Sequence, residues 1–249
     1  MHPIALHTVA LAGMMAAFGT AQAALHDRGG GMIYDDVLHI TWLQDTNFAK
    51  TSLYSGATSI PAWDAMPGAM SWDSAMAWAD QLVYGGFDDW RLPSVKPVNG
   101  SSFNYDDSAD GSTDVSTNIN SPQSELAHLY YVTLGNIGSV TVDGVTTGCY
   151  FGSTTCWTNR GPFENFGAVS GFDFPVYWAS REYDPWPSSA WIFYGYAGEQ
   201  TSSNKNNAWF AWAVRDGDVA AVPEPETYSM ILAGLITLGL AVRRRPNRD

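Results

Sequence analysis

Basic side chains are scarce in this chain, which carries 12 Lys and Arg against 25 Asp and Glu over 249 residues, a net charge of −13. Between residues 24 and 221 the imbalance sharpens. Eight basic residues (Arg28, Lys50, Arg91, Lys96, Arg160, Arg181, Lys205, Arg215) stand against 22 acidic ones, a net charge of −14. A surface of that sign repels phosphate backbones and excludes nucleic acid as a partner. Cysteine is nearly absent as well: Cys149 and Cys156 are the only two. Outside the cytoplasm a pair this close in sequence can close a small loop as a disulfide, with two free thiols as the alternative. No His lies near them in sequence to complete a zinc site. After residue 23 the only histidines are His26, His39 and His128, with neither metal-ligand spacing nor a Ser or Cys nucleophile motif around them. A glycosidase pair could be drawn from so many acids, but sequence alone brings no two together in space. The expectation is a protein that is not an enzyme and needs no cofactor, calcium aside.

The two ends differ from the middle. Residues 1–18 form a short apolar run without Lys or Arg ahead of it, followed by Gly19-Thr20-Ala21-Gln22-Ala23-Ala24. An apolar stretch ending in Ala-x-Ala is what a signal peptidase reads, so residues 1–23 are expected to be a signal peptide. Near the other end stands Val222-Pro223-Glu224-Pro225, then an apolar stretch from Tyr228 to Val242, then Arg243-Arg244-Arg245. The prolines keep the motif extended and accessible, the apolar run enters a bilayer, and the arginines hold its far end in the cytoplasm. Residues 24–221 remain as one domain of ordinary size, large enough for a real core.

Within that domain the acids are mostly Asp in Gly-, Ser- and Asn-rich company, which points to loops. Asp106, Ser108, Asp110, Ser112 and Asp114 place an oxygen at every second residue, with Gly111 for a sharp turn. This is how a calcium loop begins, although Thr117 stands where a closing Glu is usual; a solvated acidic loop is the alternative. Short β-like runs at 32–34 and 38–43 predict an opening hairpin. Ser71 is a candidate cap for a helix from Trp72, with Ala75, Met76, Ala79, Leu82 and Val83 at helical spacing up to Gly85-Gly86. Ser121, Pro122 and Glu125 predict a second helix ending at Gly135. Later β-like pieces at 140–142, 176–180, 190–196 and 208–215 complete an α+β reading. Trp186, Trp191, Tyr194, Tyr196 and Trp209, set amid Gly, Ser and Asn, are the candidate ligand-binding aromatics, with core packing as the alternative for each.

Two resemblances follow from these residues. The Val222-Pro223-Glu224-Pro225 motif, apolar span and Arg243-Arg244-Arg245 cluster resemble the PEP-CTERM sorting signal at residues 222–249. That resemblance implies export, transient anchoring by the C-terminal segment, processing by an exosortase near Val222 to Pro225, and a final place at the cell surface or in an extracellular matrix. Separately, Thr41-Trp42-Leu43-Gln44-Asp45, Trp90-Arg91-Leu92-Pro93-Ser94, Ser124-Glu125-Leu126, Tyr177-Trp178-Ala179-Ser180 and Ala211-Trp212-Ala213-Val214-Arg215-Asp216-Gly217 resemble the DUF1566, or Lcl C-terminal, family. This second resemblance implies a C-type-lectin-like α+β fold with two helices, a twisted antiparallel sheet and long loops. The family takes its name from a collagen-like adhesin that binds sulfated glycosaminoglycans. A domain of charge −14 should not attract polyanionic glycans, so that ligand class does not carry over. The expected partners are therefore signal peptidase, exosortase and an extracellular polysaccharide, with a purely structural matrix role, or an exopolysaccharide-modifying enzyme, as alternatives. The Trp90-Arg91-Leu92-Pro93 element reads as structural, with Arg91 bridging carbonyls or a carboxylate and Arg215 paired.

Overall fold

The computed structural model describes residues 25–54, 66–149, 156–169 and 172–219. The expected signal peptide and sorting tail, including Val222, Pro223, Glu224, Pro225, Arg243, Arg244 and Arg245, lie outside them. Among the described residues no helix is long and apolar enough to cross a membrane.

The opening hairpin forms as the alternating apolar residues predict. Strands β1 (Leu25–Asp27), β2 (Met32–Asp35) and β3 (Ile40–Leu43) run antiparallel in that order. Gly29, Gly30 and Gly31 all take positive φ in the first turn, a conformation that would strain side chains with a Cβ. In the second turn the fully buried Asp35 accepts from the Val37 and Leu38 amides, each at 3.0 Å. The last strand, β9 (Val214–Asp216), returns to pair with β3, so both ends of the domain share one four-stranded sheet. A short helix α1 (Phe48–Thr51) follows that hairpin. The helix α2 (Trp72–Asp80) starts as its cap predicts, with Ser71 Oγ accepting from the Ser74 amide. It stops earlier than expected, however, and Val83 lies beyond it at 73 % exposure.

The second expected helix is displaced. It begins at Glu125 as α3 (Glu125–His128) with Ser124 as its N-cap, and continues into a π-helical turn, Leu129–Thr133. Ser121 instead donates to the Val98 carbonyl and accepts from the Gln123 amide, so it caps nothing. The Val140–Val142 piece reduces to one bridge between Val140 and Thr146. A two-residue ladder, β4 (Ala168–Val169) with β5 (Phe172–Asp173), leads into the antiparallel sheet β6 (Val176–Glu182), β7 (Ser189–Tyr194) and β8 (Glu199–Asn204). The result is a mixed α+β fold, mostly β, with less helix than expected.

The stretch 208–216 joins the two larger sheets. Only its last three residues are a strand, against the expectation of a strand from Ala208. Trp209 bridges Met70, Phe210 bridges Tyr177 of β6, and Val214 bridges Arg91. Every side chain from Ala208 to Val214 is buried, with Ala208, Ala211 and Ala213 leaving room around Trp209, Phe210 and Trp212. Trp212 is the hub: its Nε1 donates to the Leu43 carbonyl at 2.7 Å, and its ring meets those of Trp42, Phe163 and Tyr177 at 4.7, 4.8 and 5.3 Å.

One charged cluster binds these parts. Arg91 forms a bidentate pair with Glu125, both bonds 2.8 Å, and also reaches Asp216. The Ser94 amide donates to the same Glu125 carboxylate at 2.7 Å. Burial opposes the Arg91 charge, yet its bonds to Glu125 and Asp216 win and raise its pKa. Arg215, next to Asp216, holds Asp89 through two bonds of 2.8 and 2.9 Å and lies over the Phe87 ring.

Two stability measurements follow. Glu125 is buried while Asp216 is largely exposed, so the two halves of the cluster are unequal. In urea titrations Arg91→Met should cost about 3 kcal/mol, because it strands a buried carboxylate, whereas Asp216→Ala should cost under about 1 kcal/mol. The second measurement concerns His128, which is 4 % exposed and whose Nδ1 has no hydrogen-bond partner. Burial lowers its pKa, with the nearby Asp35 carboxylate opposing. The unfolded chain therefore takes up the proton first as pH falls. Stability contributed by neutral His128 is whole above about pH 6.5 and declines below it. The carboxylates whose pKa values are lowered, Asp89, Asp110, Asp184 and Asp218, act only in a more acidic window, while Glu199, raised by burial, gains stability as pH falls through its folded value. Between pH 7 and 5 the urea midpoint of the native chain should drop relative to that of His128→Gln measured at the same pH values.

Candidate functional site

The structure divides the five candidate aromatics. Trp191 is fully buried on β7, the central strand of its sheet, packed against Phe103, Tyr105 and Tyr183 at 5.5, 6.1 and 4.8 Å. Trp209 is 8 % exposed, with its Nε1 donating to Ser203 Oγ at 2.8 Å. Both are core residues, which corrects the expectation that they face a ligand: an inner strand and a doubly bridged segment leave no open face. Tyr194 and Tyr196 are half-buried and share a ring cluster with Phe174 and Trp209. Burial raises the pKa of both phenols, that of Tyr196 to about 12.

Trp186 alone stands out in solvent, at 63 % exposure. It occupies the tip of the β6–β7 hairpin in the run Asp184-Pro185-Trp186-Pro187-Ser188. Two prolines fix φ on either side of it. Three backbone bonds close the tip: Tyr183 N to Ser189 O at 2.9 Å, Trp186 N to Tyr183 O at 2.9 Å and Ser189 N to Trp186 O at 2.8 Å. The indole leans on the Tyr183 ring at 5.6 Å, and Tyr183 packs edge-on against Tyr105 and Trp191. The exposed ring thus rests on an aromatic layer rooted in the core.

Polar groups surround that layer. Asp184 accepts from Arg181 at 2.9 Å and from the Tyr105 hydroxyl at 3.1 Å, and the Arg181 bond holds its pKa below the usual carboxylate range. Burial, with the bond to Asp184, pushes Tyr105 up to about 12, so it is a neutral donor at any ordinary pH. Arg181 also lies 4.7 Å over the Phe103 ring. Phe103, Tyr105 and Tyr183 were not anticipated in this role. Their only sequence signal was the alternation in Phe103-Asn104-Tyr105. An aromatic face bordered by a carboxylate and a guanidinium suits a ring that is apolar on one side and rich in hydroxyls at its edge.

The other expected sites fare differently. In the loop from Asp106 to Asp114, the Asp110 carboxylate accepts from Ser108 Oγ and from the Ser112 amide at 2.9 Å, bonds that lower its pKa to about 2. Asp114 is fully buried, with one oxygen accepting from the Val98 amide and the other from the Asn104 amide, both at 2.7 Å. The five oxygens are thus not a free ligand set: Asp114 staples the loop to the domain. Among the described residues no three His, Cys, Asp or Glu side chains gather as metal ligands. Cys149 and Cys156 are joined by a disulfide with Cα atoms 5.3 Å apart, and both are buried. His26 pairs with Asp36 at 3.0 Å and His39 contacts the Tyr34 hydroxyl at 3.2 Å.

No curated protein and no solved structure matches this chain. The family model for the Lcl C-terminal domain matches residues 31–215. That span reaches from the β1–β2 turn to the paired Arg215, taking in both larger sheets except β1 and the end of β9, and the chain belongs to the Lcl C-terminal domain family.

Proposed function

We propose that this chain is an exported cell-surface or biofilm-matrix protein that binds an extracellular polysaccharide without chemically altering it. The observation that carries the binding reading is Trp186, an exposed indole fixed between two prolines on an aromatic base and bordered by Asp184 and Arg181. Sugar rings present a C–H face that stacks on such a surface and hydroxyls that meet the polar border. The lectin-like reading of the fold is supported by its mostly β, antiparallel make-up, its short helices and the pairing of the first hairpin with the last strand. The export reading draws on the apolar N-terminal run ending in Ala-x-Ala, and the sorting reading on the motif, span and arginine cluster of residues 222–245. On this view the C-terminal segment holds the protein at the membrane until an exosortase cuts near Val222 to Pro225. The acidic, aromatic domain is then released to the surface or matrix.

Two experiments test the reading. Trp186→Ala should weaken binding to the exopolysaccharide of the producing cells about tenfold and change stability by no more than about 0.5 kcal/mol. Trp191→Ala should instead cost about 3–5 kcal/mol of stability. Unchanged binding by Trp186→Ala, or no polysaccharide binding by the native chain, overturns the ligand reading and leaves a purely structural role. In cell fractionation, replacing Pro223, Glu224 and Pro225 with Ala should retain the chain in the membrane fraction. Surface delivery at the native level would sink the sorting reading.

A further inference from the structure

The hairpin tip that carries Trp186 exposes more acid than base. Asp184 stands two residues before the indole, and its side chain is half exposed. A carboxylate offers about four acceptor positions. Among the described residues Oδ2 of Asp184 accepts from Arg181 at 2.9 Å and from the Tyr105 hydroxyl at 3.1 Å, while Oδ1 takes only a 3.3 Å bond from Arg181. Acceptor capacity is therefore left over on a half-exposed carboxylate beside the ring. Glu182, on the same strand, is half exposed as well, whereas its partner Lys205 keeps only 16 % of its side chain open and lies over the Trp72 ring. Exposed Asp106 and Asp107 follow Tyr105 of the aromatic layer. Four acids thus stand against two bases, and both bases are engaged with a carboxylate and a ring.

An indole face attracts a cation through the negative charge above its ring. A carboxylate with an open lone pair adds a charge-assisted hydrogen bond to an ammonium. Trp186 and Asp184 present both on one closed turn. A neutral sugar would use the ring and leave the carboxylate to water, and an acidic sugar would meet it as a like charge. A sugar with a protonated amino group uses both. We propose that the hairpin tip selects a polysaccharide with free amino groups, a polymer of hexosamine units lacking their N-acetyl groups, with Trp186 under a sugar ring and Asp184 on its ammonium. Amino-group selection rests on the saccharide-binding reading of Trp186 given above and narrows it to one class of sugar. The charge of the whole domain acts in the same direction, speeding the approach of a polycation and slowing that of a polyanion.

Calorimetric titration of the full chain at about pH 6, where a free amine is charged, tests this in a sugar-free nonionic detergent. The probes are the hexamers of glucosamine, N-acetylglucosamine, galacturonate and lysine. The glucosamine hexamer should bind about tenfold more tightly than the N-acetylglucosamine hexamer, and the galacturonate hexamer should not bind. Trp186→Ala should weaken the glucosamine hexamer about tenfold. Asp184→Asn should bring it down to the level of the N-acetylglucosamine hexamer and leave the latter unchanged. Both positions are exposed, so melting temperatures should stay near the native value and separate a lost site from a lost fold. The proposal is overturned if the N-acetylglucosamine or galacturonate hexamer binds as tightly as the glucosamine hexamer, or if either variant binds the latter normally. A lysine hexamer that matches it would also overturn the proposal, by reducing selection to charge alone. If none of the hexamers binds while the exopolysaccharide of the producing cells still does so through Trp186, the amino-sugar class falls and the polysaccharide reading stands; if that polymer fails too, both fall.

Discussion

The fold depends on where the guanidinium of Arg91 finds its carboxylates. Glu125 lies 34 positions later and Asp216 lies 125 positions later, so one side chain fixes the meeting of three segments that the chain order keeps apart. The backbone repeats the instruction: Arg91 and Val214 exchange amide bonds at 2.8 Å, and Ser94 bonds Glu125 through both its amide and its carbonyl. Replacing a partly buried ion pair by apolar groups of equal volume often costs nothing. What the pair adds here is register, because a slip of one residue at β9 would carry Asp216 to the other face and turn Val214 out of the core. Arg215 answers from the adjacent position by holding Asp89, so neighbouring residues of one strand are anchored toward opposite sides.

That arrangement explains which features were legible in the sequence. The Arg91 and Arg215 motifs were readable as paired, structural arginines, because a charged residue flanked by Trp, Leu and Val must either be bonded or leave the core. The hairpin of β2 and β3 and the cap at Ser71 were likewise local facts, decided by two short β-like runs around Asp35 and by a hydroxyl. Strand β8, Glu-Gln-Thr-Ser-Ser-Asn, was not legible, since nothing in its composition favours a strand. It is held by tertiary bonds: Gln200 is 1 % exposed, donates to the Asp114 carbonyl and accepts from Ser124. The sequence pattern points to Ser121 as the cap of the second helix, yet the helix begins only at Glu125, whose carboxylate is held by Arg91 and the Ser94 amide.

The structure sorts the candidate site residues by a related contrast. Alternating oxygens from Asp106 to Asp114 look alike in sequence whether they converge on a cation or on the loop's own amides. Here the amides took Asp110 and Asp114, and the serine hydroxyl at position 108 took Asp110 as well. Aromatic residues are similarly ambiguous one at a time. Trp191 and Trp186 sit in one hairpin, five positions apart, yet one is sealed and the other open. The difference is that Trp191 lies on a strand paired on both sides, while Trp186 lies between two prolines that cannot extend the ladder. The flanking prolines were the one sequence signal that distinguished it.

Charge and rigidity together narrow how such a surface can recognise anything. Among the described residues Arg28, Arg91, Arg181, Lys205 and Arg215 each hold a carboxylate of the domain itself, so the solvent meets an acidic domain with few cations to offer. Long-range attraction of polyanions is thereby removed, so the binding proposed for this domain rests on short-range contact. In the proposed reading a fixed ring supplies that contact. The prolines and the closed tip order Trp186 before any ligand arrives, so little conformational entropy is lost on contact. Because the tip's aromatic base runs through Tyr183 to the buried Trp191, a load on the exposed indole is passed to the sheet that stretch 208–216 ties to the rest of the domain. The same burial that hid most of the aromatics is what holds the exposed one in place.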